Sequence, residues 1–206
     1  MNLPNKLTLL RVILIPFFIF FLLNNSFGKL GFWIALAIFC VASFTDFLDG
    51  QIARKYNLVT NFGKFMDPLA DKLLVCSALI CFIELGVLPA WMVIIIIARE
   101  FIISGFRLIA SDNGVVIAAS WWGKTKTVSQ MVMIIYYMAF MGMAGEGDLI
   151  YWDGLMLLHR YSMLNSADLS GGSLVGTGLA WLSLILTVVS LVDYLVKNKA
   201  VMKDQK

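Results

Sequence analysis

Long apolar stretches, separated by short polar segments, make up most of the chain. Their lengths match the roughly 20 apolar residues that a helix needs to cross the hydrocarbon core of a bilayer. Because backbone polar groups inside a bilayer must be satisfied within the segment, the pattern predicts an all-α, polytopic membrane protein. Six transmembrane helices are predicted, in one membrane domain over residues 1–206, at 8–24, 31–50, 67–85, 89–109, 125–145 and 174–196.

The amino-acid composition agrees with a membrane-embedded chain. Of the 206 residues, 60% are hydrophobic and 14% are charged, and the mean hydropathy is +0.86. Soluble globular domains are less apolar and more charged, so little sequence remains for a separate soluble domain. The three cysteines, Cys40, Cys76 and Cys81, lie in apolar stretches and are expected to be buried thiols.

Basic residues are distributed unevenly between the two sides of the predicted bundle. Lys29 and Arg160 fall on one side and Arg99 lies within a span, which leaves 13 of the 16 Lys and Arg residues on the side of both termini. Because cytoplasmic loops are enriched in Lys and Arg, both termini are expected in the cytoplasm. The net charge of only +3 gives no reason to expect a nucleic-acid partner.

Acidic residues are concentrated where the second predicted span ends and the third begins. Asp46 and Asp49 stand three residues apart, and both belong to the second span. Asp67 and Asp71 stand four apart at the start of the third. These spacings put each pair on one helix face, and the short connection makes the two spans neighbours.

Four converging carboxylates would need cations beside them. Without cations, their mutual repulsion in a low dielectric would keep some of the carboxyl groups protonated. We refer to Asp46, Asp49, Asp67 and Asp71 as the four aspartates. Oxygen ligands without His or Cys suit Mg²⁺, Mn²⁺ or Ca²⁺ better than zinc or copper. The sequence therefore predicts a site for a hard divalent metal at the cytoplasmic ends of two helices.

Small and basic residues accompany the four aspartates. Gly50 and Ala53 follow Asp46 by four and seven positions, on the same helix face, and leave room for a flat or bulky ligand. Gly63 precedes the second aspartate pair by four residues and repeats this arrangement. Arg54 carries a planar fork of donors that suits phosphate. These residues point to a phosphate-containing ligand beside the metal site.

The segment that contains these residues resembles a known family. The signature of the CDP-alcohol phosphatidyltransferases is matched without departure by the run Asp46-x2-Asp49-Gly50-x2-Ala53-Arg54-x8-Gly63-x3-Asp67-x3-Asp71. The resemblance implies a homodimeric enzyme with six transmembrane helices and an active site that opens to the cytoplasm and the inner leaflet. It implies two Mg²⁺ or Mn²⁺ ions bound by the four aspartates, with Asp71 as the catalytic base. It also implies a nucleotide site formed by Asp49, Gly50, Ala53, Arg54 and Gly63.

Three further segments are similar to the branch formed by the bacterial phosphatidylglycerophosphate synthases. They are Asn2-Leu-Pro4-Asn5-Lys-Leu-Thr8-x2-Arg11-x4-Pro16, Ala98-Arg99-Glu100-Phe101-x2-Ser104-Gly105-x-Arg107-Leu108 and Gly123-Lys124-x-Lys126-Thr127. This similarity implies transfer of a phosphatidyl group from CDP-diacylglycerol, a membrane lipid, to sn-glycerol 3-phosphate, with release of CMP. It also implies a location in the bacterial cytoplasmic membrane.

A doubly charged acceptor phosphate requires cations near the metal site. Arg107, Lys124 and Lys126 lie near the cytoplasmic ends of the fourth and fifth spans and could form charge-assisted hydrogen bonds with it. The alternative for these residues is anchoring under the positive-inside rule. Arg99 and Thr8 are added to the acceptor site from the similar segments. Because neighbouring residues point about 100° apart on a helix, Arg99 and Glu100 are not expected to pair with each other.

Other functions remain open from the sequence. Phosphatidylglycerol, serine or an inositol phosphate could be the acceptor in the same family, although neutral or zwitterionic acceptors need fewer cations. A cation transporter is an alternative of another class. That function predicts broken helices near the midplane and internal repeats, whereas the acidic residues here cluster at one face.

Overall fold

The computed structural model describes residues 3–56, 61–112, 120–143 and 171–198. Within these ranges, side chains are not described at positions 3–5, 46–56, 61–68, 71, 111–112 and 171–174. The described residues contain no β-strand, in agreement with the all-α prediction. Six long helices are present in them, at Leu3–Leu23 (α1), Gly28–Tyr56 (α2), Asn61–Glu84 (α3), Ala90–Asp112 (α4), Trp121–Met143 (α5) and Gly171–Lys197 (α6).

The helices correspond one to one with the predicted segments, but several end elsewhere. The α2 helix continues to Tyr56 and α3 begins at Asn61, so both include polar residues beyond the apolar stretch. Hydropathy follows the thickness of the bilayer core, whereas a helix continues wherever its backbone hydrogen bonds continue. In the described part of the chain, three stretches are long and apolar enough to cross a membrane: Lys6–Leu23, Asn25–Thr45 and Val175–Lys197.

The chain divides into two compact units, of which the first contains residues 1–87 and 135–152. Within it, α1 packs against both α2 and α3. Phe18 and Phe39 are buried between α1 and α2, with ring centroids 5.9 Å apart. Near the C-terminal end of α3, the rings of Phe82 and of Tyr137 on α5 pack edge to face, with centroids 5.7 Å apart. These two aromatic pairs therefore contribute to the apolar core of this unit, beside its aliphatic residues.

A tight connection joins α1 and α2 in the first unit. The Asn24 side chain accepts a hydrogen bond of 3.0 Å from the Ser26 backbone N–H, and Gly28 begins α2 with a φ of +49°. Gly31 follows, where an added Cβ would lie 2.7 Å from the Phe21 carbonyl oxygen. The two helices thus approach each other closely because position 31 carries no side chain.

The second unit contains residues 88–134 and 153–206. Here α4 packs against α6, and Trp91 and Trp181 lie with ring centroids 6.0 Å apart. One face of α6 is polar although the helix is apolar overall. Its buried members, which we call the α6 polar stripe, are Ser183, Thr187, Ser190 and Tyr194. Small polar residues at helix contacts are typical of membrane bundles, because they allow close approach and form interhelical hydrogen bonds.

Candidate active site

The four aspartates lie on two helices that contact each other in the first unit. Asp49 comes seven residues before the end of α2 and Asp67 six residues after the start of α3. At 1.5 Å of rise per residue, each is about 10 Å along its helix from the connection at residues 57–60. Asp46 lies ten residues before the end of α2, and Asp71 lies ten residues after the start of α3. The helical backbone is therefore compatible with the predicted convergence.

The side chains of the four aspartates lie outside the described residues, as do those of Ala53 and Arg54. Gly50 on α2 and Gly63 on α3 belong to the same incompletely described segments. Among the side chains that are described, no group of three His, Cys, Asp or Glu residues could hold a metal ion. The metal and nucleotide sites thus stay predictions. The donor chemistry fits Mg²⁺ or Mn²⁺, since four carboxylates offer hard oxygen ligands.

Next to the first aspartate pair, α1 holds α2 through polar contacts. Arg11 is only 1% exposed, and its Nε donates a hydrogen bond of 3.2 Å to the Ala42 carbonyl, one turn before Asp46. The Thr45 hydroxyl donates to the same carbonyl at 2.7 Å. Thr8, predicted as an acceptor-site residue, is fully buried one turn before Arg11. The start of the aspartate segment is therefore tied to α1 by a buried guanidinium.

In the second unit, two of the predicted acceptor cations meet at one carboxylate. Arg99 Nη1 donates to Glu100 Oε1 at 3.0 Å, and the Lys126 ammonium contacts the same oxygen. Arg99 and Lys126 are 7% and 1% exposed, while Glu100 is partly buried. Together the three groups carry a net charge of +1. We call them the Arg99–Glu100–Lys126 cluster.

The expectation that Arg99 and Glu100 do not pair was wrong. Their Cα–Cβ bonds diverge on the helix, but both side chains are long enough to bend toward a common point. Burial supplies the driving force, because a charged group away from water is strongly stabilised by an opposite charge within hydrogen-bonding distance.

The α6 and α5 helices complete the surroundings of Arg99. Arg99 Nη2 donates a hydrogen bond to the Ser190 hydroxyl of the α6 polar stripe. Ser120 caps α5, accepting at its Oγ a 3.1 Å hydrogen bond from the Gly123 N–H. A Cβ added at Gly123 would lie 3.5 Å from Arg99 Nη2, so the first turn of α5 faces the guanidinium closely. Arg99 Nε is buried and has no hydrogen-bond partner among the described residues.

The remaining predicted cations, Arg107 and Lys124, are exposed on α4 and α5. Arg107 lies beside the phenol of Tyr194, one turn after Ser190 on α6. The α6 polar stripe therefore approaches both Arg99 and Arg107. On the same helix, Asp193 is partly buried and pairs with Lys197 at 2.6 Å.

A family model for the CDP-alcohol phosphatidyltransferases matches residues 1–189. The chain belongs to this family. The CDP-alcohol phosphatidyltransferases are generally dependent on divalent metal, in agreement with the chemistry of the four aspartates.

Individual members of this family from bacteria are similar along most of the chain. A Bacillus subtilis protein named CDP-diacylglycerol–glycerol-3-phosphate 3-phosphatidyltransferase is 48% identical over 143 residues, 65% of this chain and 74% of that protein. A Rickettsia felis protein of the same name is 37% identical over 195 residues, covering 94% of this chain and 93% of its own. A Haemophilus influenzae protein, also so named, is 39% identical over 187 residues, covering 84% and 96%.

Sequence reasoning assigned no site role to Glu100, Ser190 or Tyr194. Two features in the sequence of this phosphatidyltransferase could have pointed to such a role. Glu100 is a carboxylate inside an apolar helix, where charged residues are rare and functional. The serines and threonine of the α6 polar stripe recur at a helical period inside an otherwise apolar span.

Proposed function

We propose that this protein transfers the phosphatidyl group of CDP-diacylglycerol to sn-glycerol 3-phosphate, forming phosphatidylglycerol phosphate and CMP. The reaction belongs to phospholipid biosynthesis. Membership in the CDP-alcohol phosphatidyltransferase family supports the type of reaction. The names of the three relatives support the donor and the acceptor.

The observation that carries the acceptor assignment is the Arg99–Glu100–Lys126 cluster. Two cations that are almost completely buried contact a single carboxylate oxygen. Burial of charge is costly unless it is compensated, so a group of net charge +1 is suited to receive an anion. A phosphate monoester is such an anion, and serine lacks an equivalent one. The cluster therefore supports glycerol 3-phosphate over a zwitterionic acceptor.

The four aspartates would carry the chemistry. A hydroxyl oxygen of glycerol 3-phosphate attacks the phosphorus that is joined to diacylglycerol, and the bond from this phosphorus to the CMP oxygen breaks. Asp71 accepts the hydroxyl proton as general base. When bound, two divalent ions would supply positive charge that stabilises the pyrophosphate and the departing CMP. All four aspartates would hold these ions, and one carboxylate oxygen of Asp71 would face a metal while the other accepts the hydroxyl proton.

Binding of the nucleotide is assigned to the same two helices. Gly50, Ala53 and Gly63 would leave space against the backbone for CMP, and Asp49 is assigned to the same site. Arg54 offers a planar donor fork to its phosphate. Five residues would thus orient the leaving group while the acyl chains stay in the bilayer.

The acceptor phosphate is assigned to cations of α4 and α5. Arg99 and Lys126 come from the buried cluster, and Arg107 and Lys124 come from the exposed surface. Charge-assisted hydrogen bonds from these groups would fix the phosphate end of glycerol 3-phosphate. Thr8 is assigned to the same substrate.

The proposal also covers the location of the protein in the cell and its oligomeric state. Residues 1–206 would form one membrane domain with six spans, both termini in the cytoplasm and the active site facing it, in the bacterial inner membrane. The excess of Lys and Arg on one side supports this orientation. Reporter fusions at the two termini test it, and periplasmic activity at either terminus would contradict it. The protein would act as a homodimer, which cross-linking in intact membranes tests.

The decisive experiment supplies the purified protein with CDP-diacylglycerol, Mg²⁺ and one acceptor at a time. The acceptors are glycerol 3-phosphate, phosphatidylglycerol, serine and inositol phosphate, and the lipid product is identified by mass spectrometry. Phosphatidylglycerol phosphate together with one CMP per lipid is the expected result. Efficient turnover with another acceptor and none with glycerol 3-phosphate would refute the acceptor assignment.

A further inference from the structure

Glu100 and Ser190 stand out because each contacts a predicted acceptor cation although neither is predicted as a substrate ligand. Glu100 is itself negative and would repel a phosphate. Ser190 is fully buried on α6, with its hydroxyl oxygen accepting from Arg99. Neither residue belongs to the aspartate signature. Their contacts instead determine where the cationic groups lie.

The two ends of the Arg99 guanidinium are held by different helices. Nη1 is bound by Glu100 of α4 itself, and Nη2 by Ser190, which is 91 residues away in the sequence. A planar guanidinium held at both terminal nitrogens cannot rotate freely. Its Nε stays buried without a hydrogen-bond partner in the described part of the chain. Arg99 is therefore oriented in advance and has a donor left for a ligand.

Glu100 also acts on Lys126. The carboxylate oxygen that accepts from Arg99 is the one that contacts the Lys126 ammonium, across 26 residues of sequence. Two like charges that share one oxygen would repel each other if that oxygen were neutral. The carboxylate thus lets two buried cations lie side by side, where both can reach the oxygens of a single phosphate.

We infer that Glu100 and Ser190 are positioning residues for the acceptor phosphate: they hold Arg99 and Lys126 in the arrangement that binds it. Preorganised charges bind an anion more tightly than mobile ones, because no reorganisation is needed on binding. The inference rests on the proposed function, and it extends that function to two residues that do not contact the substrate. It predicts that acceptor binding, and not donor binding, depends on them.

The test compares Glu100→Gln with wild type in steady-state kinetics, in detergent with CDP-diacylglycerol and Mg²⁺. Glutamine keeps the size of the side chain and removes its charge. We expect the KM for glycerol 3-phosphate to rise by about tenfold or more, the loss typical of a charge-assisted contact. The KM for CDP-diacylglycerol should stay unchanged. Inorganic phosphate, as a competitor of the acceptor, should weaken as an inhibitor by the same factor.

A smaller change tests the contact at the other terminal nitrogen of the guanidinium. Ser190→Ala removes one hydroxyl and should raise the KM for glycerol 3-phosphate by roughly threefold to tenfold. Ser183→Ala is its matched control. Ser183 is fully buried on the same stripe, and its hydroxyl has no hydrogen-bond partner among the described residues. This control, and Glu84→Gln at an exposed carboxylate of α3, should leave both KM values unchanged.

A double-variant cycle separates positioning from general stabilisation. Because Glu100 holds Lys126 as well as Arg99, Glu100→Gln should raise the acceptor KM by a smaller factor in a Lys126→Met background than in wild type. Glu100→Asp, which keeps the charge on a shorter side chain, should recover part of the loss. Proportional increases in both substrate KM values, or independent additive effects in the cycle, would overturn the inference.

The two proposals fail in different ways. A wild-type protein that forms no phosphatidylglycerol phosphate from glycerol 3-phosphate would refute the proposed function. Wild-type turnover with an unchanged acceptor KM in both Glu100→Gln and Ser190→Ala would refute the positioning role alone. Should Glu100→Gln not fold, Ser190→Ala with its Ser183→Ala control still decides the question.

Discussion

The contact between Trp33 and Gly142 allows the effect of one substitution, Gly142→Ala, on the free energy of unfolding to be worked out. Trp33 Nε1 on α2 donates a hydrogen bond of 3.2 Å to the Gly142 carbonyl on α5. A Cβ at position 142 would lie 2.8 Å from Nε1 and 2.9 Å from Cε2 of the indole. Optimal contacts between such atoms are about 3.5–4.0 Å, so Gly142→Ala forces the ring to move.

Two costs and one gain determine the expected change in the free energy of unfolding. Overpacking typically costs about 1–3 kcal/mol. The displaced indole also loses its hydrogen bond, worth about 0.5–1.5 kcal/mol. Alanine offsets part of this, because it is favoured over glycine within a helix by about 0.5–1 kcal/mol. Trp33 is 43% exposed and can partly swing away, so we expect a net destabilisation of about 1–3 kcal/mol.

The assay is unfolding in mixed detergent micelles with increasing SDS, followed by circular dichroism. Gly178→Ala is the matched control, because nothing lies within 4 Å of a Cβ at that helical position. It should be neutral or slightly stabilising. Trp33→Phe should relieve the overlap and restore part of the stability in the Gly142→Ala background. Equal unfolding curves for Gly142→Ala and Gly178→Ala would refute the reasoning.

Three predictions concern activity. Exhaustive chelation should abolish CMP release and added Mg²⁺ or Mn²⁺ should restore it; full turnover without metal would contradict the metal site. Lys124→Ala or Arg107→Ala should raise the KM for glycerol 3-phosphate about 10- to 100-fold, and that for CDP-diacylglycerol far less. Equal effects on both substrates would favour an anchoring role. In Mg²⁺ titrations of CMP release, excess metal should partly rescue Asp46→Asn but not Asp71→Asn, which loses a general base worth about 10²- to 10⁴-fold. Equal rescue of two folded variants would reduce Asp71 to a metal ligand.

The local sequence pattern was sufficient to predict the helices and to recognise the family. Apolar stretches of bilayer length predicted six helices, and each is present at its expected place in the chain. The reason is that helix formation and membrane insertion depend on nearby residues and on their transfer free energies. The aspartate signature likewise lies within one segment, residues 46–71, so its chemistry could be recognised without coordinates.

The ends of the helices were harder to predict. Hydropathy placed the end of the second helix at residue 50, whereas α2 continues to Tyr56. The additional residues include charged ones that are compatible with a helix but not with the bilayer core. The transfer free energy of a side chain therefore reports on its environment and not on where the backbone hydrogen bonds stop.

Only the tertiary structure decided how the acceptor cations are held. The sequence predicted Lys126 and Arg107 alike as cations of the acceptor site. In the structure, Lys126 is buried and paired with Glu100, whereas Arg107 is exposed beside Tyr194. Arg99 depends on Ser190, 91 residues away. A contact of this kind follows from which faces of α4, α5 and α6 meet, and a single sequence carries no local signal for that choice. Charged side chains with long, flexible stems then bend toward whichever partner the packing brings within reach.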